Sequence, residues 1–324
     1  MNSLKELLEK VKQIFENEPF IFEPRELYTP IDYTLSLGGK RIRPVLLMAG
    51  CEMFGGDINQ VKDAALGIET FHNFTLLHDD LMDKSPIRRG QPTVYRKWNE
   101  NTAILSGDTM FALAWRYFLR QSHPALQDIL NTFNETAIGV CEGQQYDMNF
   151  ETRNDVSIAE YMEMIRLKTA ILLAGALKIG AQYANAPESD IQHLYDFGIH
   201  IGLAFQLQDD LLDAFGDVKV FGKQTGTDIS DNKKTYLYLK ALELADEQQR
   251  DTLQQLFATT PADPEEKIRT VLGIYQDLDV RNTVENIVNE EFAIALNELD
   301  AIHVDPKNKA TLNELANTLL GRKV

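Results

Sequence analysis

Three carboxylates crowd into five positions at the end of an apolar run, in the stretch FTLLHDDLMDKSPIRRG at 74–90. Asp79, Asp80 and Asp83 come just before the turn signals Pro86 and Gly90, so they lie late in a helix, where the dipole disfavours negative charge. Asp79 and Asp83 are four apart and share a face, where like charges repel by roughly a few tenths of a kcal/mol. The stretch FQLQDDLLD at 205–213 repeats the DDxxD spacing with Asp209, Asp210 and Asp213, again followed by a loop, from Gly216 through Gly222 to Gly226. One cluster is compatible with a solvated acidic face. Two copies of an unfavourable arrangement point to a compensating cation, because local rules are broken mainly at functional sites. Oxygen ligands without a companion His or Cys cluster favour a hard ion, Mg²⁺ rather than zinc. Neither segment carries the D-x-[DN]-x-[DN]-G loop of an EF-hand.

Basic residues sit beside glycine-rich turns or near the acids in four short places: GGKRIRP at 38–44, RRG at 88–90, RLKTA at 166–170 and GKQTGTDISDNKKT at 222–235. Each alone reads as a solvated cation; beside Mg²⁺-type ligands they suit phosphate oxygens. The stretch GDVKVFGKQ at 216–224 is not a P-loop. Five residues rather than four separate Gly216 from Gly222, Gln224 stands where Ser or Thr should follow Lys223, and no strand precedes it. That argues against an NTPase.

The elements that must position these groups are helical. Apolar residues recur at i, i+3, i+4 spacing near 4–16, 43–54, 60–83, 101–121, 125–149, 158–181, 188–215, 234–247, 263–277 and 279–300. Asp57 and Ser157 precede two of these helices and Pro187 starts another. Strand signals are almost absent, and no Gly/Ser linker or low-complexity segment marks a boundary. A length of 324 residues alone suggests about two domains. One acid cluster in each half, serving a common metal site, favours instead a single all-α domain over 1–324.

The chain is 44% hydrophobic and 25% charged, ordinary for a globular protein, with a net charge of −17. That charge argues against a nucleic-acid surface or docking on anionic lipid. It leaves room for an anionic small substrate, because bound Mg²⁺ inverts the local field. Two cysteines, Cys51 and Cys141, without a CxxC pair, indicate neither a disulfide framework nor a zinc site, and a reducing cytoplasm is the default location. The N-terminal MNSLKELLEKVKQIFENEPF reads as an amphipathic first helix rather than an export signal. The most apolar stretch, AILLAGALKIGA at 170–181, is short and contains Lys178, so no membrane span is expected.

Taken in order, Gly38-Gly39-Lys40-Arg41-Ile42-Arg43-Pro44, Asp79-Asp80-Leu81-Met82-Asp83 with Arg88-Arg89-Gly90, Lys168-Thr169, and Gln206 with Asp209-Asp210-Leu211-Leu212-Asp213 resemble the motif series of the trans-isoprenyl diphosphate synthases, or polyprenyl synthetases. The likeness runs over nearly the entire chain and is to the short-chain type, the farnesyl and geranylgeranyl diphosphate synthases. It implies an all-α helical bundle of the isoprenoid synthase type around a central cavity, and a homodimer. It also implies a Mg²⁺-dependent prenyltransferase, with three Mg²⁺ per site when diphosphate is bound. Isopentenyl diphosphate would be joined head to tail to dimethylallyl, geranyl or farnesyl diphosphate by ionisation, condensation and elimination, giving C15–C20 products and pyrophosphate.

Residue by residue, the resemblance makes Asp79, Asp80, Asp83, Asp209, Asp210 and Asp213 the metal-binding acids, with Asp79, Asp83 and Asp209 as direct ligands. It gives Arg88, Lys168 and Lys233 the developing charge of the leaving diphosphate, and Lys223 a place in a closing lid. It assigns Lys40, Arg43, His72 and Arg89 to isopentenyl diphosphate; His72 lies seven residues before Asp79, two turns away on the same face. Thr169 and Gln206 become uncharged oxygens steadying the allylic cation, and the released diphosphate is the proton acceptor. Gln144 and Asp147 sit where the family has a polar cavity wall. Phe74, five positions and about 7–8 Å of helix before Asp79, would stop chain growth, with Phe71 a turn below and Thr75 small beside it. The first acid motif lacks a two-residue insertion found in many bacterial farnesyl synthases, which leaves C15 and C20 both open. Two rivals are a class I terpene cyclase, which would not need the Lys40/Arg43 pocket, and a non-catalytic regulatory subunit, which would typically lose one acid cluster.

Overall fold

Helix follows helix because apolar residues recur every three to four positions, and side-chain caps such as Ser3, Asn99, Ser157 and Asp263 start several of the runs. In the computed structural model, which describes residues 2–216, 225–258 and 263–321, α1 (Leu4–Asn17) opens on a capping box. Ser3 Oγ accepts from the Glu6 amide while the Glu6 carboxylate accepts from the Ser3 amide. α2 (Arg25–Ser36) carries Pro30 inside it, and α3 (Ile42–Met53) begins directly after the GGKR turn. A 3₁₀ turn capped by Asp57 leads into α4 (Lys62–Met82), which ends on the first acid cluster. A two-stranded hairpin, β1 (Ile87–Arg88) and β2 (Gln91–Pro92), follows, with Ile87 opposite Pro92. Next come the short α5 (Val94–Lys97), α6 (Glu100–Phe118) and α7 (Leu126–Thr152).

The expected single helix over 158–181 is divided. α8 (Ile158–Ile165) starts on a Ser157/Glu160 capping box, a π-helical turn spans Arg166–Ala170, and α9 (Ile171–Tyr183) continues. α10 (Glu188–Phe215) carries the second acid cluster. It is followed by α11 (Thr227–Ser230), α12 (Tyr236–Leu244), α13 (Glu247–Ala258), α14 (Pro264–Asp277), α15 (Val280–Ala301) and α16 (Ala310–Leu320). The fold is all-α, as expected. No described helix is long and apolar enough to cross a membrane.

The residues group into two compact units. The first comprises Met1–Phe133, Ala176–Ile191 and Val304–Leu312; Ile31, Leu66, Leu77, Met110 and Tyr117 lie in its core. The second comprises Asn134–Gly175, Gln192–His303 and Asn313–Val324, with Tyr161, Leu207, Leu211, Leu237 and Tyr275 in its core. Burying each such side chain contributes roughly 1.5–3 kcal/mol. The boundaries at Phe133 and Gly175 fall inside α7 and α9, so no linker composition marks them.

Candidate active site

In the first unit, the last turn of α4 presents Asp79, Asp80 and the C-cap Asp83. The hairpin after it turns on Arg89 (φ 53) and Gly90 (φ 75), the pair of positive φ values that gives a two-residue turn the right twist. That turn brings Arg88 back to α4. Its Nε donates to both Asp80 oxygens at 2.8 Å, and Nη2 lies 3.8 Å from Asp79 Oδ2. Burial pushes the Asp80 carboxyl up to about 6, against the pull of Arg88.

Arg89 points the other way and donates to the Gly38 carbonyl. Gly39 takes φ +126, which favours glycine, and a Cβ there would stand 2.7 Å from Arg89 Nη2, so the tip of that arginine would have to move. Arg43 Nη1 lies 3.0 Å from His72 Nε2. Burial, then the charges of Arg43 and Arg89, hold His72 well below its usual value, so it is neutral. Its Nε2 accepts from the arginine and Nδ1 carries the proton. Lys40 is exposed at the turn beside a groove of about 720 Å³ that Phe15, Phe20 and Arg41 also line. The structure thus gathers Arg43, His72 and Arg89 around the GGKR turn, and Arg88 with the first acid cluster.

In the second unit, the π turn carries Lys168 and Thr169; single π turns inside helices recur at functional sites. The turn fits against α7 only because position 143 is glycine: a Cβ there would stand 2.3 Å from the Lys168 nitrogen. Lys168 Nζ pairs with Asp147 at 2.6 Å. Thr169 Oγ1 donates to Gln206 Oε1 at 3.0 Å, and Gln206 Nε2 donates to Asp210 Oδ1 at 3.1 Å. The buried Tyr161 hydroxyl donates to the other Asp210 oxygen. Burial, then the charge of Asp228, pushes the Asp210 carboxyl up to about 8. Asp213 accepts from the Thr227 hydroxyl at 2.5 Å and from the amides of Thr227 and Asp228, capping α11. Lys233 Nζ lies 3.8 Å from Asp228 Oδ1; burial and the facing Asp213 push Asp228 up. Lys223 lies outside the described residues.

The six expected metal-binding acids are therefore not equivalent. Asp80 is held by Arg88, Asp210 by Tyr161 and Gln206, and Asp213 by the start of α11. Among the described residues no three His, Cys, Asp or Glu side chains form a ready-made metal cage. That donor set fits Mg²⁺, which takes one or two carboxylates together with substrate phosphates rather than a full protein shell.

Phe74 is half-buried, with its ring 4.8 Å from His78, 5.3 Å from Phe111 and 5.6 Å from Phe71. Phe71 is fully buried and meets Phe133 edge-on at 5.4 Å. Thr75 Oγ1 donates to the His72 carbonyl at 2.8 Å. Several neighbours of these residues were given no role from the sequence: Arg41, Glu69, Asn73, Phe111, Tyr161 and Asp228. Glu69 alone left a trace, as an acid set among apolar residues in the middle of α4.

The polyprenyl synthetase family model matches residues 24–274. A geranylgeranyl diphosphate synthase of Methanosarcina mazei is 40% identical over 225 residues, covering 69% of each chain. A geranylfarnesyl diphosphate synthase of Natronomonas pharaonis is 33% identical over 99% of this chain and 97% of its own. The crystal structure of a geranylgeranyl pyrophosphate synthase superposes with a TM-score of 0.93 at 42% identity, covering 100% of both chains. That of the Pyrococcus horikoshii geranylgeranyl pyrophosphate synthetase gives 0.91 at 32%, over 99% of this chain and 98% of the other. The all-α architecture is the isoprenoid synthase fold. With its motif series in order and a match over most of its length, the chain belongs to the polyprenyl synthetase family.

Proposed function

We propose that this short-chain prenyltransferase joins isopentenyl diphosphate head to tail to an allylic diphosphate and releases pyrophosphate. The carrying observation is that the cations fall into two chemically different sets. Arg43 faces His72 and Arg89 donates to the Gly38 carbonyl around the GGKR turn, whereas Arg88 is paired with the first acid cluster. An enzyme that joins two diphosphates needs one site of each kind, one metal-assisted and one purely cationic.

Asp79, Asp83 and Asp209 would hold Mg²⁺. When bound, the metal supplies a Lewis acid that makes the allylic diphosphate a better leaving group. Arg88, Lys168 and Lys233 share the negative charge that develops as the allylic C–O bond breaks, a preorganised electrostatic contribution. Asp80 fixes Arg88, and Asp147 fixes Lys168, so neither cation has to be ordered at the moment of reaction. Thr169 donates its proton to Gln206, so the lone pairs of its oxygen are what it offers to an allylic cation. Neither it nor Gln206 is a nucleophile strong enough to trap that cation. Lys40, Arg43, neutral His72 and Arg89 receive isopentenyl diphosphate; the proton lost in the last step goes to the released pyrophosphate. Phe74, backed by Phe71 beside Thr75, limits the product to C15–C20. The proposal includes a cytoplasmic homodimer and three Mg²⁺ per loaded site.

Lys40→Ala and Arg43→Ala are expected to raise KM for isopentenyl diphosphate by at least about tenfold, equivalent to about 1.4 kcal/mol, with a much smaller change for the allylic partner. Steady-state kinetics with each substrate varied in turn decides it. Equal effects on both substrates would mean that the two pockets are assigned wrongly.

A further inference from the structure

Of the three cations in GGKRIRP, Arg41 turns its guanidinium into the protein. Nη1 donates to Glu69 Oε1 at 2.7 Å, Nη2 donates to the Leu35 carbonyl at the end of α2, and Cζ lies 4.4 Å from the centre of the Phe15 ring. Its backbone stands at φ 49, a conformation that a residue with a side chain keeps only when its surroundings enforce it. One side chain therefore ties the turn to α1, α2 and α4 together.

Its partner Glu69 is 2% exposed and lies one turn before His72. Glu69 Oε1 also accepts from Asn73 Nδ2 at 3.1 Å, and the same nitrogen donates to the Glu69 carbonyl at 2.8 Å. The carboxylate is thus aimed by its own helix. Its charge also acts on Arg43 and Arg89, favouring the protonated form of each against the cost of burial. Glu69 Oε2 and Arg43 Nε are buried and meet no hydrogen-bond partner among the described residues.

A buried carboxylate within an anion pocket opposes affinity if only charge counts, since it repels a diphosphate. Its contribution has to be geometric. Arg43 touches a neutral His72 and the charges of Arg89, Arg88 and Arg41 act on the same ring, and like charges in a poorly screened site spread apart unless a counter-charge holds them. We propose that Glu69, acting through Arg41, is a positioning residue of the isopentenyl diphosphate pocket, holding the GGKR turn and its arginines in the receiving geometry. The inference rests on the pocket assignment made above.

Three variants test it: Glu69→Gln, Arg41→Met and their combination, with KM measured for each substrate and unfolding followed by circular dichroism. Glu69→Gln removes a negative charge, so a purely electrostatic role predicts tighter isopentenyl diphosphate. The positioning role predicts the opposite sign, a KM raised by about tenfold or more, with the allylic KM moving less than about twofold. Arg41→Met breaks the same bond from the other end and should give the same selective rise. The double variant should be no worse than the poorer single, since coupled partners are not additive. Should Glu69→Gln fail to fold, the selective rise in Arg41→Met still decides the matter. A lowered KM, equal shifts for both substrates, or lost thermal stability with unchanged KM values overturns the inference while leaving the pocket standing, provided Arg43→Ala remains selective. If Arg43→Ala itself shows no selectivity, pocket and inference fall together.

Discussion

Asp80 and Asp210 occupy the same place in the two DDxxD repeats and meet the same fate. Each is buried and satisfied by protein donors, Arg88 in one case, Tyr161 and Gln206 in the other. Their flanking acids Asp79 and Asp209 are half-buried and Asp83 is exposed, which is where a carboxylate can still reach a metal and a phosphate. Asp79→Ala or Asp209→Ala should accordingly lower turnover to less than about a tenth of wild type, because Mg²⁺ chemistry contributes several kcal/mol to the barrier. The fold should survive, since each change removes like-charge repulsion within its cluster. Turnover with saturating Mg²⁺, read beside the melting temperature, checks this; activity above a tenth would refute the ligand assignment. At this scale the acids and cations were legible because their types and spacing are local. Glu69 and Tyr161 were not, because they meet Arg41 and Asp210 across 28 and 49 positions, and no periodicity reports such a contact.

Elements decide the shape of the wall proposed to limit chain growth. Phe74 on α4 packs against Phe111 on α6 as well as Phe71 below it, so the proposed stop would be a cluster of rings rather than one side chain. Phe74→Ala should shift the product toward C25 and longer, since each buried CH₂ of a growing chain gains about 0.8 kcal/mol. Phe71→Ala alone should do less. Mass spectrometry of the products decides; an unchanged distribution from folded, active Phe74→Ala would place the floor elsewhere.

A second pair of elements carries a pH effect. On α10, His200 Nδ1 lies 2.6 Å from Glu291 on α15. The hydrogen bond to Glu291 raises the His200 pKa above its usual value, with Asp196 and Glu298 adding to it. A raised histidine stabilises the fold fully below its unfolded pKa and loses that contribution as pH rises through the folded value. The melting-temperature advantage of wild type over His200→Gln should therefore be full below the unfolded histidine value of about 6.5 and shrink as pH rises above it. A difference independent of pH would contradict the pairing. Most helices were legible from their period. α2 was hidden by Pro30 within it, and the polar α13 offered too few apolar positions; α16 keeps Leu312, Leu315, Ala316 and Leu319 at helical spacing and was missed although its period is there to read. The π turn was invisible because the periodicity of 158–181 runs on across it, and only tertiary contacts such as Gly143 against Lys168 betray it.

On the scale of the whole molecule, two compact units each end a helix in a DDxxD cluster, and the family match spans residues of both. The relatives include makers of geranylgeranyl and geranylfarnesyl diphosphate, so the chemistry is common to them and the product length is a property of each chain's own residues. The most direct test incubates the purified chain alone with Mg²⁺, isopentenyl diphosphate and dimethylallyl diphosphate, following pyrophosphate release and product mass together. The expected result is one pyrophosphate per condensation and linear all-trans diphosphates of C15–C20, both lost when the metal is chelated. Cyclised hydrocarbon without consumption of isopentenyl diphosphate, or no pyrophosphate release until a partner chain is added, would contradict head-to-tail condensation by this chain.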